Sequence, residues 1–249
     1  MKVTIVGCGD AFGSGGRSHT CFRLDAAGRT LLVDFGAGAN IAWNKAAFAT
    51  SDIDAVVVSH LHGDHFGGLP FLLLQCQFVE RRRKPITLLG PPGLKARLDM
   101  ALEVFFPGTG AMHWTFDWPV VEIVPGHPTE IAGFSLLTLE VDHPSGAPST
   151  GIRVGAGGRL FAYSGDTAWT ETLIDIADGA DLFIIECYSA ARPIPGHIDW
   201  PTLDANRARL ATRRLMLTHM GEEDGGAELR RTLSRRGIET CEDGGVIEL

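Results

Sequence analysis

The stretch Ser59-His60-Leu61-His62-Gly63-Asp64-His65-Phe66-Gly67-Gly68 packs three imidazoles and one carboxylate between positions 60 and 65. Imidazole and carboxylate together are the donor set of zinc and its first-row neighbours. Alternate residues of an extended segment point the same way, so His60 and His62 can face one cation. Asp64 and His65 fall on the turn beyond, within reach of a second cation. Gly63 is expected to relieve the backbone where these bulky side chains converge. Three residues of the same chemistry follow: His143 in Glu140-Val141-Asp142-His143-Pro144, Asp166 in Tyr163-Ser164-Gly165-Asp166-Thr167, and His219 in Leu217-Thr218-His219-Met220. Each stands just past an apolar, strand-like run, the common placement for groups held by a rigid scaffold. This set suffices for two divalent cations if Asp166 bridges them. Zinc suits the donors, and manganese or iron would be accepted by the same atoms.

The elements that must position these residues are legible as short apolar runs between turns. Residues 53–58 read as a buried strand delivering the first motif. Residues 64–79 have the length and composition of one buried helix starting just after the donors. Before the motif, 2–6 is a strand, 7–16 a glycine-rich loop, 21–24 and 30–33 a hairpin turned by Ala27-Gly28, and 37–47 a helix. After it come strand 85–89, helix 93–105, strands 120–124 and 133–141, and a hairpin of 150–154 with 159–163. Strands 181–185 and 214–217 follow, with a helix over 201–211 between them. A helix over 227–236 and a strand over 246–249 close the chain. No internal repeat, low-complexity segment or linker interrupts this order, so residues 1–249 are expected to form a single domain. Hairpins in both halves with helices interspersed predict two packed sheets with helices on both outer faces.

Composition narrows the function classes. The chain carries 22 Lys and Arg against 30 Asp and Glu, a formal net charge of −8, which argues against a general nucleic-acid-binding surface. The cysteines Cys8, Cys21, Cys76, Cys187 and Cys241 are odd in number and scattered, and read as reduced thiols of a cytoplasmic protein. Residues 1–7 read as a strand rather than a leader, and no apolar run approaches the ~20 residues of a membrane span.

His60-x-His62-x-Asp64-His65, followed in order by His143, Asp166 and His219, resembles the metallo-β-lactamase superfamily over essentially the whole chain. The loop 7–16 and Asp34-Phe35-Gly36 match that pattern too. The resemblance implies an α+β, four-layer αββα sandwich with a two-metal site at the sheet edges. It implies that His60, His62 and His143 hold one metal and Asp64, His65 and His219 the other. Within the superfamily the chain is similar to the ribonuclease Z branch, through Leu88-Leu89-Gly90-Pro91-Pro92-Gly93, Gly165-Asp166-Thr167 and Leu217-Thr218-His219. Ile184-Ile185-Glu186-Cys187 stands where that branch has His-Glu-Ala-Thr, and Gly196-His197-Ile198-Asp199 where it has His-Ser-Thr. The long arm with which ribonuclease Z grips transfer RNA is missing, because one hairpin fills residues 144–165. A homodimer is implied by the resemblance alone.

Two such cations acidify water and neutralise charge on an attacked oxygen. Asp64, a donor beside that water, can orient it or take its proton, and His197 is the candidate acid for the leaving group. Glu186 either orients His197 or caps the next segment. Asp34 either backs a metal histidine or forms a turn. The expected activity is metal-dependent hydrolysis of a phosphodiester in a small molecule or nucleotide, without membrane association or stable nucleic-acid binding. Ester, lactone or sulfate-ester hydrolysis, a transfer-RNA 3′ endonuclease, and a metal-binding sensor without turnover are the alternatives. The run Arg81-Arg82-Arg83-Lys84 reads as a solvated helix end, with phosphate attraction the lesser alternative, and Trp114, Phe116 and Trp118 as alternating core positions of a strand or else a pocket wall. His19, His113 and His127 lack a ligand-like context.

Overall fold

Residues 53–58 show no polar alternation because both of their faces are covered. In the computed structural model, which describes residues 1–249 with residue 224 excepted, Ala55 and Val57 face one apolar core while Ile53, Val56 and Val58 face another. The strands, in chain order, are β1 (Lys2–Gly7), β2 (Cys21–Ala26), β3 (Arg29–Val33), β4 (Ile53–Val57), β5 (Thr87–Gly90), β6 (Val120–Glu122), β7 (Thr129–Ile131), β8 (Phe134–Val141), β9 (Ser149–Ala156), β10 (Arg159–Tyr163), β11 (Leu182–Glu186), β12 (Leu215–Thr218), β13 (Glu239–Thr240) and β14 (Val246–Glu248). Among the described residues they form two seven-stranded sheets, ordered β14-β1-β2-β3-β4-β5-β6 and β13-β12-β11-β10-β9-β8-β7.

The helices are α1 (Ala39–Lys45), α2 (Gly63–Phe66), α3 (Leu69–Leu74), α4 (Leu94–Phe105), α5 (Thr172–Ala177), α6 (Trp200–Asn206) and α7 (Gly226–Arg235). The inner faces of both sheets meet in a core that includes Phe22, Phe161 and Tyr163, with the Phe22 and Tyr163 ring centroids 5.2 Å apart. The outer face of the first sheet packs on α1, α3 and α4, and that of the second on α5, α6 and α7. Helix, sheet, sheet, helix is the αββα sandwich expected from the pattern of elements.

Strand direction explains where the functional residues gather. Strands β10, β11 and β12 are parallel neighbours, so their carboxyl ends share one edge of the sheet. Strand β8 is antiparallel to β9, which is antiparallel to β10, so β8 ends at that edge too. In the other sheet β3 and β4 are parallel and end together. Across the sandwich, the Thr150 N–H donates to the Ser59 carbonyl at 3.0 Å and the His219 N–H to the Cys8 carbonyl at 3.1 Å. These bonds join the two edges around the motif.

Several elements depart from the sequence reading for identifiable reasons. The helix expected over 64–79 is broken into α2, α3 and a wide π-type turn at Gln75–Val79. The break is at Gly67 and Gly68, where the Gly68 N–H donates to the Phe35 carbonyl and a Cβ on Gly68 would lie 2.3 Å from the Gly36 oxygen. Gly63 is not the crowded glycine, since a Cβ there would meet nothing within 4 Å. Gly36 is: its Cβ would fall 2.0 Å from the Asp64 oxygen. The helix begun at Trp200 gives way to a 3₁₀ turn at Arg207–Arg209. Strands β7 and β13 and helix α5 leave no signal in the sequence, being too short to show a period. Arg82 is buried rather than solvated, donating to the carbonyls of Ile53 (2.6 Å) and Pro85 (2.9 Å). Trp114, Phe116 and Trp118 precede β6 instead of forming a strand, and they border surface cavities beside Lys95.

Candidate metal centre

Seven donor side chains meet at the shared strand edge in two groups, His60 with His62 and His143, and Asp64 with His65, Asp166 and His219; within each group the donor atoms lie within 4.8 Å of one another. His62 Nδ1 is 3.0 Å from His143 Nε2. Asp166 Oδ2 lies 3.3 Å from His65 Nε2, 3.2 Å from His219 Nε2 and 3.9 Å from His60 Nε2, so this carboxylate touches both groups. Asp64 Oδ2 is 3.2 Å from His65 Nε2 and 3.9 Å from His219 Nε2. His60 Nε2, His65 Nε2, Asp64 Oδ2 and Asp166 Oδ1 are buried, and among the described residues none has a hydrogen-bond partner. Buried polar atoms are almost always satisfied, so this concentration of unsatisfied donors facing one another fits a bound cation.

The outward faces of the same rings are held. Asp34 Oδ2 accepts from His65 Nδ1 at 2.7 Å and from the Ser59 hydroxyl at 2.8 Å, while Asp34 Oδ1 accepts from the Ser59 N–H. With its proton given to Asp34, the Ser59 oxygen is left to accept from His60 Nδ1, 3.1 Å away. His143 Nδ1 donates to the Gly196 carbonyl at 2.8 Å. Each bond places the proton on Nδ1 and turns the Nε2 lone pair of His60, His65 and His143 inward, as metal-binding histidines require. Asp34 does this from left-handed backbone, at φ of 60°, and the donor His219 also has a left-handed φ of 57°, an unusual conformation for residues other than glycine. Asp34 thus supports His65 directly and His60 through Ser59.

The electrostatics are those of a cation site. Burial disfavours the charged form of His65, yet Asp166, Asp64 and Asp34 push its pKa well above the ordinary range: absent a metal, the proton on His65 neutralises part of their charge. Burial, reinforced by His65, holds His60 well below the usual imidazole value, which keeps its lone pair free. Burial and His143 lower His62 likewise. Burial opposes ionisation of Asp64 and Asp166, but their histidine neighbours keep both below the carboxylate range.

Beside the cluster, His197 Nδ1 lies 3.0 Å from Glu186 Oε1. The same carboxylate accepts from the N–H groups of Thr167, Tyr188 and Ile198, so Glu186 both orients His197 and caps the following turn. Burial works against a charged His197, but Glu186 prevails and pushes its pKa up to about 9. A His197 nitrogen also lies within 4.8 Å of His143 and Asp166 donor atoms. Gly196 must lack a side chain: its φ is 78°, and a Cβ on it would lie only 3.0 Å from His143 Nδ1. A cavity of about 250 Å³ opens onto the cluster between His62, Asp64, His143, Asp166, His197 and His219 on the inside and Ala11, Phe12, Tyr188 and Ile194 at the mouth. The sequence reading marks every inner residue and, through the loop 7–16, the segment that carries Ala11 and Phe12, but it gives no role to Ser59, Tyr188 or Ile194. Ser59 carries a visible signal, since it directly precedes the motif. Tyr188 and Ile194 carry none. His113 and His127 are exposed, and His19 accepts a hydrogen bond from the Gly38 N–H at 2.9 Å.

Fold and site together are those of the metallo-β-lactamase fold. The fold superposes on the Bacillus subtilis metallo-β-lactamase fold protein YhfI with a TM-score of 0.81, at 21% identity, covering 100% of this chain and 98% of that one. It superposes on the short form of human tRNase Z (ELAC1) at 0.79, with 24% identity over 100% and 99% of the chains. It superposes on a diphosphatase of the PhnP family at 0.78, with 18% identity over 100% and 97%. In sequence the chain is 26% identical to ribonuclease Z of Methanothermobacter thermautotrophicus, over 88% of this chain and 86% of the relative. A family model matches residues 1–233, and by it the chain belongs to the family of the anti-Pycsar protein Apyc1. Among the described residues no helix is long and apolar enough to cross a membrane.

Proposed function

We propose that the chain is a two-metal hydrolase, in one domain and acting in the cytoplasm, that cleaves a phosphodiester in a small molecule or nucleotide. The observation carrying this reading is the cluster of inward-facing, unsatisfied donors on His60, His65, Asp64 and Asp166, with outer hydrogen bonds fixing the ring orientation of His60, His65 and His143. His60, His62 and His143 would hold one divalent cation, and Asp64, His65 and His219 the other, with Asp166 between them. Zinc suits this donor set best. Two such cations supply Lewis acidity toward a phosphoryl oxygen and water acidic enough to attack at neutral pH.

The protein's own groups supply the rest. Asp64 orients the attacking water and accepts its proton. His197, its Nδ1 held by Glu186, presents its other nitrogen to the departing oxygen and donates the proton it needs. Sequence similarity to ribonuclease Z supports phosphodiester chemistry. The cavity supports a small substrate: about 250 Å³ falls below the ~300–1,000 Å³ typical of drug-sized ligand sites. Only the β9–β10 hairpin lies between His143 and Asp166, in keeping with a chain that does not grip RNA.

The test is metal content and a substrate panel. Protein purified without chelator should carry close to two divalent cations per chain. It should hydrolyse bis-p-nitrophenyl phosphate and nucleotide phosphodiesters in preference to lactones, aryl sulfates and a transfer-RNA precursor. No metal uptake after incubation with zinc or manganese would sink the reading. Turnover confined to lactones or sulfates would move the chemistry to another ester class.

A further inference from the structure

A guanidinium stands beside the metal motif with no acid to neutralise it. Arg97 of α4 donates from Nη1 to two backbone carbonyls, that of Leu61 at 2.9 Å and that of Ser145 at 3.1 Å. Among the described residues no carboxylate pairs with it. Its neighbours on α4, Leu94 and Leu98, are buried in the same apolar cluster as Leu61, so the helix is fixed against the motif. Gly146 leaves room for the group: its φ is 75°, and a Cβ there would lie 3.2 Å from Arg97 Nη2. The two acceptors come from different sheets. Leu61 follows β4 of the first sheet, and its carbonyl belongs to the peptide that leads into His62. Ser145 follows β8 of the second sheet, just past His143. It is tied to that residue in turn, because the Ser145 N–H donates to the His143 carbonyl at 3.1 Å and the Ser149 hydroxyl to the same carbonyl at 2.8 Å. A second tie flanks His60 on its other side, where the Thr150 N–H and hydroxyl both donate to the Ser59 carbonyl, at 3.0 and 2.8 Å. His62 turns Nδ1 toward His143 Nε2 and, among the described residues, has no outward ring bond like those of His60, His65 and His143. The peptide that Arg97 holds is the one that places this unbraced ring.

We propose that Arg97 is a positioning residue that sets the affinity of the His60, His62 and His143 site by holding the segment of His60 and His62 to that of His143 across the two sheets. The inference rests on the two-metal reading above. Arg97 touches no donor side chain and acts through the backbone carbonyls on either side of the group. A planar guanidinium on a long stem offers hydrogens in fixed directions, and a hydrogen bond from a charged donor is roughly twice as strong as a neutral one. The group of Asp64, His65 and His219 does not depend on this tie, since Asp34 braces His65 from behind. Loss of Arg97 should therefore loosen one cation and spare the other.

The test uses the full chain in two arms. Arg97→Met keeps an aliphatic stem and a good helix former but removes the donors. In the first arm, zinc titration against a chromogenic chelator should resolve two dissociation constants in the wild type. Arg97→Met should raise one of them about 10- to 100-fold, the range for losing an outer partner of a ligand, and leave the other unchanged. Arg97→Lys keeps a charged donor on a shorter stem and should show a smaller rise at the same site. It carries the same comparison if the methionine variant does not fold. A generally weakened fold would loosen both sites alike, so equal loss at both, or loss at neither, overturns the proposal. The second arm needs no metal. Hydrogen exchange of the metal-free chain should speed up over residues 60–66 and 143–149 in Arg97→Met and stay unchanged over 215–220. A wild-type chain that takes up no metal sinks the two-metal reading, and exchange then decides the tie alone. Faster exchange confined to those two segments upholds it, and unchanged exchange overturns it.

Discussion

The floor of the cavity and its mouth are built on opposite principles. On the floor, donors stand just past the ends of β4, β8, β10 and β12 in a largely buried cluster. Their rings are fixed from behind by Asp34, Ser59 and the Gly196 carbonyl. At the mouth, Phe12 and Ala11 come from one loop and Tyr188 and Ile194 from another, with side chains partly or fully open to solvent. The floor is over-determined: moving one donor disturbs sheet edge, backing bond and neighbour together. The mouth is joined to the floor mainly through Glu186 and His197. Such a division lets loops choose the substrate while strand ends keep the chemistry.

The largest effect should follow damage to the residue shared by both donor groups. Asp166→Asn removes the carboxylate within 3.9 Å of His60, His65 and His219. It should abolish measurable turnover on every substrate and lower metal content at both positions by elemental analysis. Retention of two tightly bound cations would show that the groups are held independently. Next is His197→Ala, which tests the link between floor and mouth. General acid catalysis contributes about 10²–10⁴-fold, so a loss in that range is expected for an alkyl or nucleoside ester. A nitrophenyl ester, whose leaving group needs no proton, should lose far less, and metal content should stay unchanged. Equal losses on both esters would remove the acid role. A loss of metal would make His197 a ligand, as its proximity to His143 and Asp166 permits.

The same division explains what can be read from the sequence. His60, His62, Asp64, His65, His143, Asp166 and His219 are legible because strand-end donors in a fixed order leave a mark on the chain. The central strands are legible because short runs rich in apolar residues stand between turn signals. Tyr188 and Ile194 are not, since an aromatic or aliphatic residue in a loop looks the same whether it faces a cavity or not. Asp34 and Glu186 are visible as candidates, but their partners lie 31 and 11 positions away, and only tertiary packing brings them together. The broken helix after His65 follows the same logic. Local composition favours one continuous helix, while close contact of Gly68 with Phe35 and Gly36 interrupts it.

A third, smaller effect should come from behind the floor. Asp34 is fully buried, and burial raises its pKa against the opposing pull of His65 and Ser59, so its charge is costly to keep. Asparagine tolerates the left-handed backbone there and removes the charge without widening the site. Asp34→Asn should therefore leave the melting temperature little changed yet weaken metal binding by about 10- to 100-fold, the usual consequence of losing a partner behind a ligand. Competition with a chromogenic chelator measures this, and unchanged affinity would mean that packing alone holds His65.

The smallest effect lies in the pH profile, where floor and mouth act on one proton. Burial lowers the pKa of His197, but the Glu186 carboxylate raises it to about 9. His197 acts in its protonated form, so its contribution is complete at low pH and is lost as pH rises through its pKa. Bound cations pull that pKa back down, so the informative quantity is the difference between two loaded proteins, not the absolute value. Glu186→Gln removes the negative charge and keeps a hydrogen-bond acceptor. The alkaline limb of kcat/KM on a poor-leaving-group substrate should therefore move to lower pH, toward the ~6.5 of an unperturbed imidazole. The profile on a nitrophenyl ester should move little, because that leaving group needs no acid. A shift of both profiles together would assign the limb to a group on the floor and leave Glu186 as the cap of the turn that carries Tyr188.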